Sequence, residues 1–190
     1  METNFHGTLR TIRGVLPSFR TRGSGTIVNV TSGAGFIGFA SRGLYAGSKF
    51  AVEGMSEALA NELEPFNIRV IIAEPGSFKT NFINTIVLPE RGITKAYEET
   101  PADTMIKMTQ DLGNRRLGNT QRASEILLEV ILGTGLATDD KIHRCLRVPL
   151  GEDCLQNARK KWRSWGLELD IMEPISKSVG LEAEDNALNT

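Results

Sequence analysis

Cysteine is almost absent: the 190 residues contain only Cys145 and Cys154. That excludes a disulfide framework, and their separation excludes a redox or zinc pair. A reducing compartment is expected. Surplus charge is lacking too, since 22 Lys+Arg against 23 Asp+Glu leave a formal net charge of −1. No long-range field draws such a chain to nucleic acid or to an anionic membrane. There is no apolar run long enough to span a bilayer and no signal-peptide pattern at the start, so a cytoplasmic protein without a membrane partner is expected. No repeat or low-complexity tract appears.

Other chemistries lack their parts. His6 and His143 have no carboxylate or cysteine partners at metal-ligand spacing, so no metal site is expected. No G-x-S-x-G elbow supports a hydrolase. Asn29-Val30-Thr31 spells a glycosylation sequon but falls inside a predicted buried strand, which makes it a chance match. The basic run Arg159, Lys160, Lys161, Arg163, interleaved with Trp162 and Trp165, reads as the solvated face of a helix beside a packed one.

What is present describes an ordinary globular chain, 40% hydrophobic and 24% charged. Phe5, Leu9, Ile12 and Leu16 recur at helical spacing from Thr3 to about Phe19. Residues 26–30 (Thr-Ile-Val-Asn-Val), a β-branched run bounded by glycines, predict a buried strand. A Gly-rich loop from Ser32 to Gly43 leads to a helix over roughly Leu44 to Glu64, stopped by Pro65 and Asn67. Ile68 to Ala73 predicts a second buried strand. Later come a helix from Ala123 to Leu132, a short strand from Leu146 to Leu150, and a helix through Trp162. Strands alternating with helices across short connections imply an α/β fold with a parallel sheet and helices on both faces.

Residues 81–118 have weak periodicity and are rich in Thr, Glu, Pro and Gly, as lids and binding loops are. Their Phe82, Ile86, Leu88, Tyr97 and Met105 would either face an apolar substrate or pack the lid down. The expected organisation is one domain over 1–175, including this lid, followed by a loose tail over 176–190.

Gly33-Ala34-Gly35-Phe36-Ile37-Gly38 matches the dinucleotide fingerprint G-x-G-x-x-G. Its context does not, because the motif should open directly into a helix, with an acidic residue ending the next strand about 20 positions on. Here Ala40 to Gly43 keep the chain in a loop, and Glu53 lies mid-helix. This loop is expected to rim an active site rather than cradle phosphate.

Tyr45 and Lys49 stand four apart at the start of a helix, on one face. An ammonium near a phenol favours the phenolate and brings its proton within reach of neutral-pH chemistry. Ser32, at the end of the preceding strand, can point toward the same cleft. The spacing alone is common enough to arise from an aromatic anchor and a solvated lysine.

The stretch 25–32 (Gly-Thr-Ile-Val-Asn-Val-Thr-Ser), Tyr45-Ala-Gly-Ser-Lys49, and 74–80 (Glu-Pro-Gly-Ser-Phe-Lys-Thr) closely resemble, in order and spacing, the second half of the classical short-chain dehydrogenase/reductase family. Asn4 matches the family's helix asparagine, and 146–151 (Leu-Arg-Val-Pro-Leu-Gly) its last strand. The resemblance implies a Rossmann-like sheet lacking the first strands of the doubly wound fold. It implies an NAD(P)-dependent oxidoreductase that interconverts a ketone or aldehyde and an alcohol. Tyr45 would be the general acid/base, and Lys49 would tune it and bind the nicotinamide ribose. Ser32 would polarise the carbonyl, and Asn4 would support a proton path. Pro75 and Gly76 would turn past the nicotinamide, with Phe78 and Thr80 at its carboxamide. The cofactor would be NADP or NAD, NADP slightly preferred, and a homo-oligomer is compatible.

The family's Gly-rich first turn, its cofactor-choosing residue and its Asn-Ala-Gly motif are not found. Three or four βα units of about 30 residues each put the missing segment on the order of 100 residues. Two functions are therefore open: an oxidoreductase of which this is one part, or an inactive remnant that works as an interaction or regulatory protein.

Overall fold

The computed structural model describes residues 1–87, 90–111 and 117–180. Leu88 of the expected lid surface, residues 112–116 of the lid, and residues 181–190 of the expected tail lie outside them.

A π-helical turn, Glu2–Gly7, leads into helix α1, Thr8–Arg22. Strand β1, Gly25–Val30, helix α2, Gly43–Leu63, and strand β2, Ile68–Pro75, follow. Helices α3, Pro101–Gln110, α4, Thr120–Leu132, and α5, Asp140–His143, precede strand β3, Arg147–Leu150, and helix α6, Glu152–Ser178. The described strands form one parallel sheet in the order β1-β2-β3, with Val30 opposite Ala73 and Pro75 opposite Leu150. It is Rossmann-like, as the sequence implies.

The pleat of β2 explains why its sequence is apolar throughout. Ile68 and Val70 pack on one face with Ile12 and Leu16 of α1, Leu63 of α2 and Ile27 of β1. Ile71 and Ala73 pack on the other face with Val130 of α4 and with Val148 and Leu150 of β3. A strand covered on both faces loses the polar alternation of a half-buried one. Helices on both faces are thus observed. Asn29 is 5% exposed, and its amide donates to Ser56 Oγ at 2.8 Å, which removes the sequon from access.

Three expectations need correction. The long segment after residue 80 is not simply a loop, because it contains α3. Pro101 opens that helix, and Asp103 accepts from Glu99 N at 2.9 Å and from Lys107 Nζ at 2.7 Å. The Asp103 bond back to Glu99 and one i,i+4 pair reinforce a short part-buried stripe of Ala102, Met105 and Ile106. The last helix does not stop near Trp162 but continues past Pro174 to Ser178, so residues 176–178 are helical. Trp162 is not packed; it is 73% exposed, with its ring edge-on to Trp165 at 6.0 Å.

The chain divides into two compact units, Met1–Ala158 and Arg159–Thr190. The first holds the sheet and every candidate site residue. No helix among the described residues is long and apolar enough to cross a membrane.

Candidate active site

The site is built where the parallel strands end. In open α/β sheets this carboxyl edge is where the connecting loops can surround a ligand. β1 delivers Ser32, β2 delivers the turn from Pro75 to Thr80, and the first turns of α2 deliver Tyr45 and Lys49.

Lys49 Nζ donates to the Val30 carbonyl at 3.0 Å, and it lies 5.9 Å from the centroid of the Tyr45 ring. The helical spacing and the strand end therefore bring these two side chains together. Burial holds the Lys49 ammonium below its ordinary value, with the Glu53 carboxylate opposing the shift. An ammonium has three hydrogens, so the bond to Val30 leaves two donors for a ligand. From the segment after β2, Phe82 sets its ring against Tyr45, with centroids 5.9 Å apart.

Ser32 ends the strand extension and caps the next turn, its Oγ accepting from Ala34 N at 3.2 Å. Its neighbour Thr31 is anchored twice. Thr31 N donates to the Ala73 carbonyl at 2.7 Å, and its hydroxyl donates to Glu53 of α2. Asn4 reaches α2 from the first turn of the chain, its Nδ2 donating to Ser48 Oγ at 3.0 Å. Ser48 Oγ in turn donates to the Tyr45 carbonyl at 2.7 Å. Asn4 thus touches the helix turn that carries Tyr45 and Lys49 rather than either side chain.

The glycine loop packs against α2. Residues 33–35 form a buried 3₁₀ turn, and a β-carbon on Gly35 would come within 2.8 Å of the Glu53 carboxylate. Gly35 is needed for close packing on α2, and its N–H donates to the Ser32 carbonyl at 2.7 Å.

The turn after β2 has a partner that the sequence did not suggest. Gly76 N donates to the Leu150 carbonyl at 2.8 Å, and Ser77 N donates to Asp153 Oδ2 at 2.8 Å. A β-carbon on Gly76 would overlap the Asp153 carboxylate. Asp153, at the start of α6, therefore fixes the turn from 77 positions away, and no local pattern announces it. Phe78 bridges in parallel to Gly118, and Thr80 Oγ1 accepts from Phe82 N at 3.2 Å. Arg42, just before α2, is a second residue missed: its Nη2 donates to Thr109 Oγ1 of α3 at 2.6 Å.

The described strands form a Rossmann-like parallel sheet with the Tyr45–Lys49 pair beside their ends. Residues 1–90 match the family model described as short chain dehydrogenase, so over that part the chain is similar to the short-chain dehydrogenase/reductase family. It is 40% identical over 116 residues to the oxidoreductase claN of Passalora fulva, covering 61% of this chain and 52% of that one. A solved short-chain dehydrogenase from Streptomyces avermitilis superposes with a TM-score of 0.75 at 30% identity, covering 93% of this chain and 60% of its own. A Burkholderia cenocepacia short chain dehydrogenase in complex with NADP matches in fold, with a TM-score of 0.53 at 21% identity. That match covers 95% of this chain and 58% of the other. The chain thus spans little more than half the length of these relatives.

Proposed function

We propose that these residues form the catalytic part of an NADP- or NAD-dependent oxidoreductase that interconverts a ketone or aldehyde and an alcohol. The observation that carries this reading is the Lys49 ammonium, pinned to the end of β1 and facing the Tyr45 ring.

The donor set fits the nicotinamide end of such a cofactor. Lys49 retains donors for ribose hydroxyls, and the Pro75–Thr80 turn stands beside it at the strand ends. The Gly33–Gly38 loop does not fit the pyrophosphate end, since its first glycines are buried against α2. When bound, the cofactor would give or accept the hydride. This chain's residues would do the rest. Tyr45 gives a proton to the carbonyl oxygen in reduction and removes it from the hydroxyl in oxidation. Lys49 favours the phenolate that remains. Ser32 orients the carbonyl, and its capping bond to Ala34 fixes the hydroxyl's position. Asn4 steadies the first turns of α2 through Ser48. Phe82 beside Tyr45 offers an apolar wall to the substrate.

Titration of the chain with reduced NADP and NAD, followed by nicotinamide fluorescence, tests the reading. Saturable binding that Lys49→Met weakens and Tyr45→Phe retains supports it. No binding at millimolar concentrations overturns it for this chain, and leaves an interaction or regulatory role as the reading to pursue.

A further inference from the structure

Behind the candidate site lies a charge cluster that the proposed chemistry does not use. Arg147 of β3 is its hub. Its Nη2 lies 3.3 Å from Glu53 Oε2 and also pairs with Glu57, while its Nε lies 3.2 Å from Glu74 Oε1. Glu53 is 4% exposed and Glu74 is 2% exposed, whereas Glu57 is on the surface. Glu53 Oε2 and Glu74 Oε1 are buried and, although within ion-pair range of Arg147, make no hydrogen bond.

These carboxyls join the parts of the site. Glu53, one turn beyond Lys49 on α2, accepts from Thr31 and packs against Gly35, so it holds both ends of the short segment that contains Ser32. Glu74 immediately precedes Pro75 and Gly76. Arg147 connects the two. Among the described residues, the groups that bear on the cluster are Lys49, Glu53 and Glu57 from α2, Glu74 from β2, Arg147 from β3, Thr31 after β1, and Cys154 and Asp153 from α6. One guanidinium faces three carboxyls, with Lys49 the one further cation beside them among the described residues. Two ionised carboxylates buried on one arginine leave uncompensated negative charge, which a low-dielectric site resists by retaining a proton.

We infer, building on the function proposed above, that Glu53, Glu74 and Arg147 are positioning residues. They hold the Ser32 loop and the Pro75–Gly76 turn on α2, and do so with one of the two buried carboxyls in its acid form. Loss of that proton loosens both loops together. Burial first, and the neighbouring Glu53 second, push the Glu74 carboxyl up to about 7. Burial also raises Glu53, against the Thr31 and Arg147 contacts. The loosening therefore falls in the neutral range.

The molecule contains its own reporter. The buried Cys154 thiol donates to the Glu74 carbonyl at 3.0 Å, and its sulfur would lie 3.6 Å from a β-carbon on Gly33. It therefore lies on the strand residue that leads into the Pro75–Gly76 turn and beside Gly33 of the Ser32 loop, while the exposed Cys145 provides a reference. Alkylation of each thiol with iodoacetamide is measured from pH 6 to 8 in the wild type and in Glu74→Gln. Burial first, and the Glu74 charge second, push the Cys154 thiol up to about 12, so its thiolate fraction alone gives at most about tenfold per pH unit. The wild type is expected to exceed that slope, with its rate relative to Glu74→Gln growing at least about fivefold across the range. A constant ratio overturns the inference. If Glu74→Gln does not fold, Glu53→Gln gives the same comparison with the same two outcomes. If neither folds, the wild-type thermal midpoint decides: a fall between pH 5.5 and 8 supports the inference, and a flat or rising profile overturns it. None of these readouts needs cofactor or turnover, so they stand apart from failure of the oxidoreductase reading.

Discussion

Arg42 Nη2 donates to Thr109 Oγ1 at 2.6 Å, and this bond ties the start of α2 to α3 in the segment between β2 and α4. Thr109 is buried, and burial depresses the Arg42 guanidinium from its ordinary value. Thr109→Val removes the acceptor while keeping the shape of the side chain. The half-buried donor then costs about 1–3 kcal/mol. Cleavage by trypsin at Arg91 and Lys95 should accelerate severalfold, and the global unfolding midpoint should fall by several degrees. Limited proteolysis followed by mass spectrometry measures both sites.

Lys49→Met removes the ammonium but keeps most of the stem. One charged hydrogen bond, to the Val30 carbonyl, is lost at a half-buried position. The larger loss is to the ligand, because charge-assisted bonds contribute about 1.5–3 kcal/mol each. Cofactor affinity should fall tenfold or more, with a thermal midpoint within a few degrees of wild type. Fluorescence titration and thermal unfolding give the two values.

Gly76→Ala sets a methyl against the Asp153 carboxylate. Overpacking of this kind costs about 1–3 kcal/mol. Asp153→Ala alone loses the bond to Ser77 N. In the double variant the overlap is gone, so the two costs should fall short of adding by at least about 0.5 kcal/mol. Denaturant unfolding of the four proteins tests this, and strict additivity would place the strain elsewhere.

Arg147→Met deletes the cation shared by Glu53, Glu57 and Glu74. The folded-state value for Glu74 is already raised, to about 7. Such an acid gives stability that is complete below the ordinary carboxylate range and is lost as pH rises through about 7. Without Arg147 the buried charge has no partner, and breaking a buried pair costs about 3–5 kcal/mol. The destabilisation should therefore be larger at pH 8 than at pH 5, as denaturant melts at the two pH values will reveal.

The parts of the fold legible in sequence were those with local causes. β1 and β2 are β-branched runs between breakers, and Tyr45 and Lys49 share a face because of helical spacing. α3 was hidden because its apolar stripe is short, Ala102, Met105 and Ile106, and Pro101, Asp103 and Lys107 reinforce it through contacts that apolar periodicity does not register. Asp153 and Arg147 were hidden for a different reason. Their partners, Gly76 and Ser77 for one and Glu53 and Glu74 for the other, lie dozens of positions away and meet only when the sheet assembles. The unburied Trp162 shows the opposite error, in which a large apolar side chain was assigned a packed face that the structure does not give it.

β2 pairs with β3 through Ile72 opposite Arg147, a contact that spans 75 positions (147 minus 72). Non-local pairings close late, because the loop entropy is lost before the contact can repay it. During synthesis, β1 and β2 leave the ribosome long before Arg147 does. Until then Ile71 and Ala73 lack Val148 and Leu150, and Glu53 and Glu74 lack their arginine. The nascent chain therefore carries an open strand edge and two unneutralised acids until β3 has been made. That interval is when it depends most on chaperones and is most prone to misassembly.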